Sequence, residues 1–117
     1  MSLDRRRRVK GGAWLARFAA LLVGLAVPAL ASVPGVEIIQ NDRHFSLAAV
    51  KVALGTTIRF LNQDEFTHHI EVDTPSFAFD SGEQQPGQVV QVSFNRSGTF
   101  DVHCAIHPKM HLLVEVQ

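Results

Sequence analysis

Three side chains able to bind a metal stand within seven residues of one another: Cys104, His107 and Met110, in the run Cys104-Ala105-Ile106-His107-Pro108-Lys109-Met110. Thiolate and thioether are soft donors and imidazole is borderline, a set that suits copper held as both Cu(I) and Cu(II). Two imidazoles and a thiolate in a trigonal arrangement, with a weak axial thioether, form the ligand pattern of copper sites that transfer electrons. Cys-x-x-His-x-x-Met lets a single loop supply three of those four ligands, so a second histidine must arrive from elsewhere. The plainer reading is a small buried Cys104, a gap-filling Met110 and surface histidines.

The elements that would position these residues are strands. Apolar residues recur with a period of two: Val50, Val52 and Leu54; Ile58 and Phe60; Ile70 and Val72; Val90, Val92 and Phe94; Phe100, Val102 and Cys104; Leu112, Val114 and Val116. A first run covers Val36–Gln40, and turn clusters at Gly55-Thr56, Asn62–Glu65, Asp80–Gly82, Pro86-Gly87 and Asn95–Gly98 separate the runs. No window shows a helical stripe. The pattern predicts an all-β Greek-key sandwich of about seven strands, with Asp73–Gln88 as a loop containing one short helical turn. Phe60, Phe77, Phe79, Phe94 and Phe100 are assigned to the core.

Strand parity nominates the missing ligand. His68 shares the inward parity of Ile70 and Val72, whereas His69 points outward. The predicted metal set is therefore His68, Cys104, His107 and Met110. His44, His111 and Lys109 are placed at the surface, the last two beside the ligand loop.

Composition bounds the remainder. With 117 residues the chain holds one domain of ordinary size. Cys104 is the only cysteine, which excludes an intrachain disulfide framework, a multi-cysteine zinc site and a Cys-x-x-Cys redox pair. Formal net charge is zero, but six of the eleven basic residues (Arg5, Arg6, Arg7, Arg8, Lys10 and Arg17) and one of the eleven acids (Asp4) lie in residues 1–31. The head is thus +5 and residues 32–117 are −5.

The head has the zones of an export signal: a basic stretch, the apolar run Phe18–Ala31, and a small-x-small ending at Ala29-Leu30-Ala31. A cut after Ala31 is expected, leaving residues 32–117 as the domain. The 14-residue run would give about 21 Å of helix, short of a roughly 30 Å hydrocarbon core, so no stable membrane anchor is expected. Either the general secretory or the twin-arginine route fits. An acidic body repels phosphate backbones, which argues against nucleic acid as a partner.

The run Gly98–Met110, with Asn62-Gln63-Asp64-Glu65-Phe66-Thr67-His68-His69-Ile70 upstream, resembles the cupredoxins, the small blue-copper proteins that include plastocyanin and amicyanin. The short His-to-Met spacing is that of the amicyanin type, and the family's first histidine falls on His68. The resemblance implies one type 1 copper site. It also implies an electron port at His107 and transient docking there of a c-type cytochrome or a dehydrogenase. Three positions depart from the family pattern. Thr67 replaces a proline, His69 replaces an asparagine whose side chain ties the two ligand segments, and Ile106 replaces a proline. Unlike proline, Ile106 keeps an N–H, expected to point at the thiolate.

The expected function is a soluble, monomeric, periplasmic electron carrier and not an enzyme. The alternative is a periplasmic copper-binding or trafficking protein without a shuttle role. A nucleophilic Cys104 paired with a histidine base finds no other catalytic groups in the sequence.

Overall fold

The computed structural model describes residues 11, 12, 19–21, 23–26 and 35–117. The chain divides into two units, Met1–Ala31 and Ser32–Gln117. The charged residues of the predicted head and the cut expected after Ala31 lie outside the described residues. Among the described residues no helix is long and apolar enough to cross a membrane.

Residues 35–117 form nine strands: β1 (Val36–Asn41), β2 (His44–Phe45), β3 (Ala49–Val52), β4 (Thr57–Asn62), β5 (Ile70–Asp73), β6 (Ala78–Asp80), β7 (Val89–Ser93), β8 (Gly98–Cys104) and β9 (His111–Val116). They make a four-stranded sheet ordered β2-β1-β4-β7 and a five-stranded sheet ordered β3-β9-β8-β5-β6. β1 runs parallel to β4 and β3 parallel to β9, while the other pairs are antiparallel. Parallel neighbours cannot be joined by a tight hairpin, so the chain crosses between the sheets before it returns.

Alternation decides which side chains meet. Ile38, Ile58, Phe60 and Val92 of the first sheet face Ile70, Val72, Phe100, Val102, Leu112 and Val114 of the second, and all are buried. Phe77, Phe94 and Phe100 form a triangle of rings, with the Phe77 centroid 5.3 Å from each of the other two and Phe94 6.1 Å from Phe100. Aromatic rings at this spacing add to their area burial. Phe77 and Phe79 are only partly buried against this core, and Phe45 joins it from β2, edge-on to Phe60 at 5.9 Å.

The architecture is the expected all-β sandwich, with two more strands than expected. β2 and β6 have two and three residues, too few to show a period. The segment expected to hold a helical turn, residues 73–88, instead holds β6, paired with β5 through Glu71, Val72 and Asp73. Leu54 also departs from its run: β3 ends at Val52, and Leu54 lies in the following turn, 56% exposed.

Candidate metal centre

β8 and β9 form a hairpin whose last pair is His103 with His111. Cys104 ends β8, and residues 105–110 are the connecting loop. Two backbone bonds close it: the Met110 N–H donates to the His107 carbonyl at 3.0 Å, and the Cys104 N–H to the Met110 carbonyl at 3.3 Å. The sequence spacing is therefore the arc of one hairpin loop, with Cys104 and Met110 facing each other across its base. Both side chains are buried, each 1% exposed.

His68 comes from the entry to β5, next to Cys104 because Ile70 pairs with Cys104 across β5 and β8. The His69 carbonyl accepts the Ala105 N–H at 2.9 Å. The two ligand segments are thus tied through backbone. The His69 ring turns outward to Asp80, with Nε2 2.5 Å from Oδ1, so it does not take over the side-chain tie that asparagine makes in the resembling family.

His68, Cys104 and His107 converge. The Nδ1 atoms of the two histidines are 3.2 Å apart, and Cys104 Sγ lies 3.7 Å from that of His68 and 3.6 Å from that of His107. A circle through these three atoms has a radius of about 2.0 Å, and metal–imidazole bonds run about 2.0–2.1 Å. One ion near the centre would reach both imidazoles at that length, and the roughly 2.3 Å of a metal–thiolate bond asks for an adjustment of only a few tenths of an ångström. Met110 is tied by backbone bonds to Cys104 and His107 and is buried; among histidines, cysteine and acids the converging set is His68, Cys104 and His107. The hydrogen bond expected from Ile106 N–H to the thiolate is not among those made by the described residues. Ile106 is 45% exposed on the loop.

The orientation of His68 has a cause absent from the sequence reading. Its Nε2 lies 2.6 Å from Asp64 Oδ2. Asp64 is almost buried, and its carboxylate also accepts the backbone N–H groups of Asp42 (2.6 Å) and Arg43 (3.2 Å). Burial pushes the Asp64 carboxyl up, but the His68 hydrogen bond and these two N–H groups outweigh it and hold the acid below 3.8. An ionised carboxylate accepts the hydrogen bond from Nε2–H and leaves the Nδ1 lone pair facing the cluster, the arrangement that orients metal-binding histidines. Asn62 sets the turn: its Oδ1 accepts the Asp64 N–H at 2.9 Å, and its Nδ2 donates to the Phe66 and Gln84 carbonyls. Gln84 pairs with His68 through both backbone bonds, at 2.9 and 2.7 Å.

Two more groups were missed. Phe66 stands edge-on to both His68 and His107, with centroids 5.4 Å away in each case. Arg43 lies over the other side of that ring, 4.5 Å from its centroid. Burial, then the nearby His68 and Arg43, depress the basicity of His107, against an opposing effect of Asp64. A neutral imidazole is the form that binds metal. His44 and Lys109 are exposed as expected. His111 is exposed too, held between Asp101 (2.9 Å) and the Pro108 carbonyl (2.7 Å).

A sequence profile described as "Cupredoxin-like domain" matches residues 14–114. Among curated proteins no relative matches by sequence. A reduced Cu(I) form of an amicyanin variant superposes with a TM-score of 0.67 at 20% identity, covering 74% of this chain and 85% of that one. An oxidised amicyanin variant gives 0.66 at 20% identity over 76% and 88%. A Cu-containing nitrite reductase (NirK) from Thermus scotoductus gives 0.68 at 25% identity, over 79% of this chain but 24% of the enzyme. The amicyanin likeness is one of fold, and the enzyme is matched over about a quarter of its length.

Replacing Asp64 with Ala leaves two backbone N–H groups and His68 Nε2 without an acceptor. The metal-free variant is expected to lose at least about 2 kcal/mol at pH 7 by urea unfolding. Because the Asp64 carboxyl is held low, this stability is present above its unfolded value and is lost as pH falls through the lower folded one. The gap between wild type and variant should therefore narrow in acid, and a gap constant with pH would contradict the role given to the carboxylate.

Asp101, and then the Pro108 carbonyl, raise the His111 titration above 6.5. An NMR titration should show that midpoint falling back in Asp101→Asn. The pair's stability should be complete below 6.5 and lost as pH rises through the raised value. An unmoved midpoint would count against the contact.

Proposed function

Because the chain belongs to the cupredoxin family, we propose that residues 32–117 act, after export and removal of residues 1–31, as a monomeric periplasmic electron carrier with one type 1 copper site. The ligands are His68, Cys104, His107 and Met110. The observation that supports this reading most is the triangle of Nδ1, Nδ1 and Sγ atoms, with edges of 3.2, 3.6 and 3.7 Å. At that distance the two Nδ1 atoms must share either a proton, in an N–H···N bond, or a cation, and a bound metal ion would replace that proton.

A copper ion bound there supplies one-electron Cu(II)/Cu(I) chemistry. The chain's own residues supply the rest. Cys104 provides a soft thiolate in a site closed to bulk water. The two imidazoles are fixed from behind, His68 by Asp64 and both rings by Phe66. A donor set locked by two strands and a short loop has little freedom to rearrange when the charge at its centre changes, which lowers the cost of electron transfer. His107 faces the cluster with Nδ1 and also lines a surface depression, giving the electron a short path to a partner.

Docking that is weak and brief at a small interface suits a carrier. A c-type cytochrome or a dehydrogenase suits the role of partner.

Titration of metal-free residues 32–117 with Cu(II), followed by visible and EPR spectroscopy, tests the assignment. One equivalent should give an intense thiolate-to-copper band with narrow copper hyperfine splitting. Cys104→Ser should abolish the band. Met110→Leu should keep it and raise the reduction potential, because a weak axial donor to Cu(II) is lost. A pale spectrum from wild type would favour copper trafficking, and a Met110→Leu potential equal to wild type would remove Met110 from the ligand set.

A further inference from the structure

The depression beside His107 has more cations than acids in its lining, unlike the domain as a whole. Residues 35–117 hold ten acids against Arg43, Lys51, Arg59, Arg96 and Lys109. Yet the depression beside His107, about 440 Å³, is lined by Arg43 and Lys109 as well as His44, Pro108 and one acid, Asp42. The two cations come from different elements: Arg43 from the turn between β1 and β2, Lys109 from the ligand loop.

Arg43 is held in place. Asp42 and Arg43 both have positive φ, 50° and 59°, which side chains other than glycine seldom adopt in succession. The turn is kept in that shape by the Asp64 carboxylate, which accepts both of its N–H groups and also the His68 ring. The guanidinium rests on Phe66, which packs against His68 and His107. The arginine is therefore registered to the metal centre through two routes, backbone and ring. A freely solvated surface cation has neither.

We propose that this depression is a docking site for an acidic patch on the redox partner, with Arg43 and Lys109 as its recognition residues. The proposal rests on the electron-carrier reading for the partner's identity, but anion binding itself needs no metal. Attraction here would orient His107 toward the partner while the acidic remainder of the surface repels it, so that encounter is steered to one face.

Metal-free protein separates the two readings. The trianion hexacyanochromate(III) is a paramagnetic probe that broadens nearby amide signals. At low salt it should broaden Asp42, Arg43, His44 and Lys109 selectively, and an octaglutamate peptide should relieve the broadening by competing for the site. Arg43→Gln and Lys109→Gln should each weaken the broadening severalfold. Once copper-loaded protein that shows the blue band has been reduced to Cu(I) with ascorbate and freed of reductant, its reoxidation by ferricyanide should slow as ionic strength rises. The net charge of −5 on residues 32–117 alone would make it quicken. Broadening centred on Lys51, Arg59 or Arg96, a rate that rises with salt, or broadening untouched by octaglutamate (a small-anion site only) would overturn the proposal. Loss of the blue band with broadening intact would overturn the copper reading instead.

Discussion

The Asp64 carboxylate accepts hydrogen bonds from the His68 ring and from two backbone N–H groups while almost hidden from water. A buried carboxylate is costly unless each lone pair is used, and here the three partners come from two places in the chain, the Asp42-Arg43 turn and His68. The bond to His68 fixes which ring nitrogen faces Cys104. The bonds to Asp42 and Arg43 hold the turn joining β1 and β2 against the first strand's neighbour β4, whose last residue, Asn62, orients Asp64 in turn. One carboxylate thus joins the metal centre to the four-stranded sheet and sets the position of the cation beside His107.

The five-stranded sheet supplies the other half of the site. β5 and β8 bring His68 and Cys104 together, and the β8–β9 hairpin carries His107 and Met110 at its tip. The sandwich core below, from Ile70 and Val72 through Val102 and Leu112, is apolar and closely packed. Rigidity at the centre comes from packing beneath and hydrogen bonding behind. The surface above carries Arg43 and Lys109 beside His107, with Asp42 also in the lining.

Much of this was legible in the residues. Cys104, His107 and Met110 announce themselves by type and spacing, and His68 follows from parity with Ile70 and Val72, because a period of two admits one inward choice between His68 and His69. The six clear alternating runs and Val36–Gln40 all became strands. What escaped depends on contacts distant in sequence. Asp64 sits in a polar turn cluster and looks like any turn acid until the fold brings it under His68. Gln84 and Gln40 are polar residues that the fold buries and pairs side chain to side chain at 2.7 Å, and no periodicity marks them. Phe66 lies outside every alternating run, and β2 and β6 are too short to have a period. Ile106 is different again: among the described residues its N–H makes no bond to the Cys104 sulfur, because loop geometry and not the mere presence of an N–H decides where it points.

A three-donor hole pre-shaped by the chain needs to change by no more than a few tenths of an ångström on metal entry and should keep the same ligands on reduction. X-ray absorption at the copper edge, on Cu(II)-loaded and then reduced protein, tests it most directly. The account expects two nitrogen scatterers near 2.0 Å and one sulfur slightly farther out, about 2.0–2.3 Å overall, with the same shell in both oxidation states. A shell of oxygen and nitrogen without sulfur, or one that loses a histidine on reduction, would contradict it.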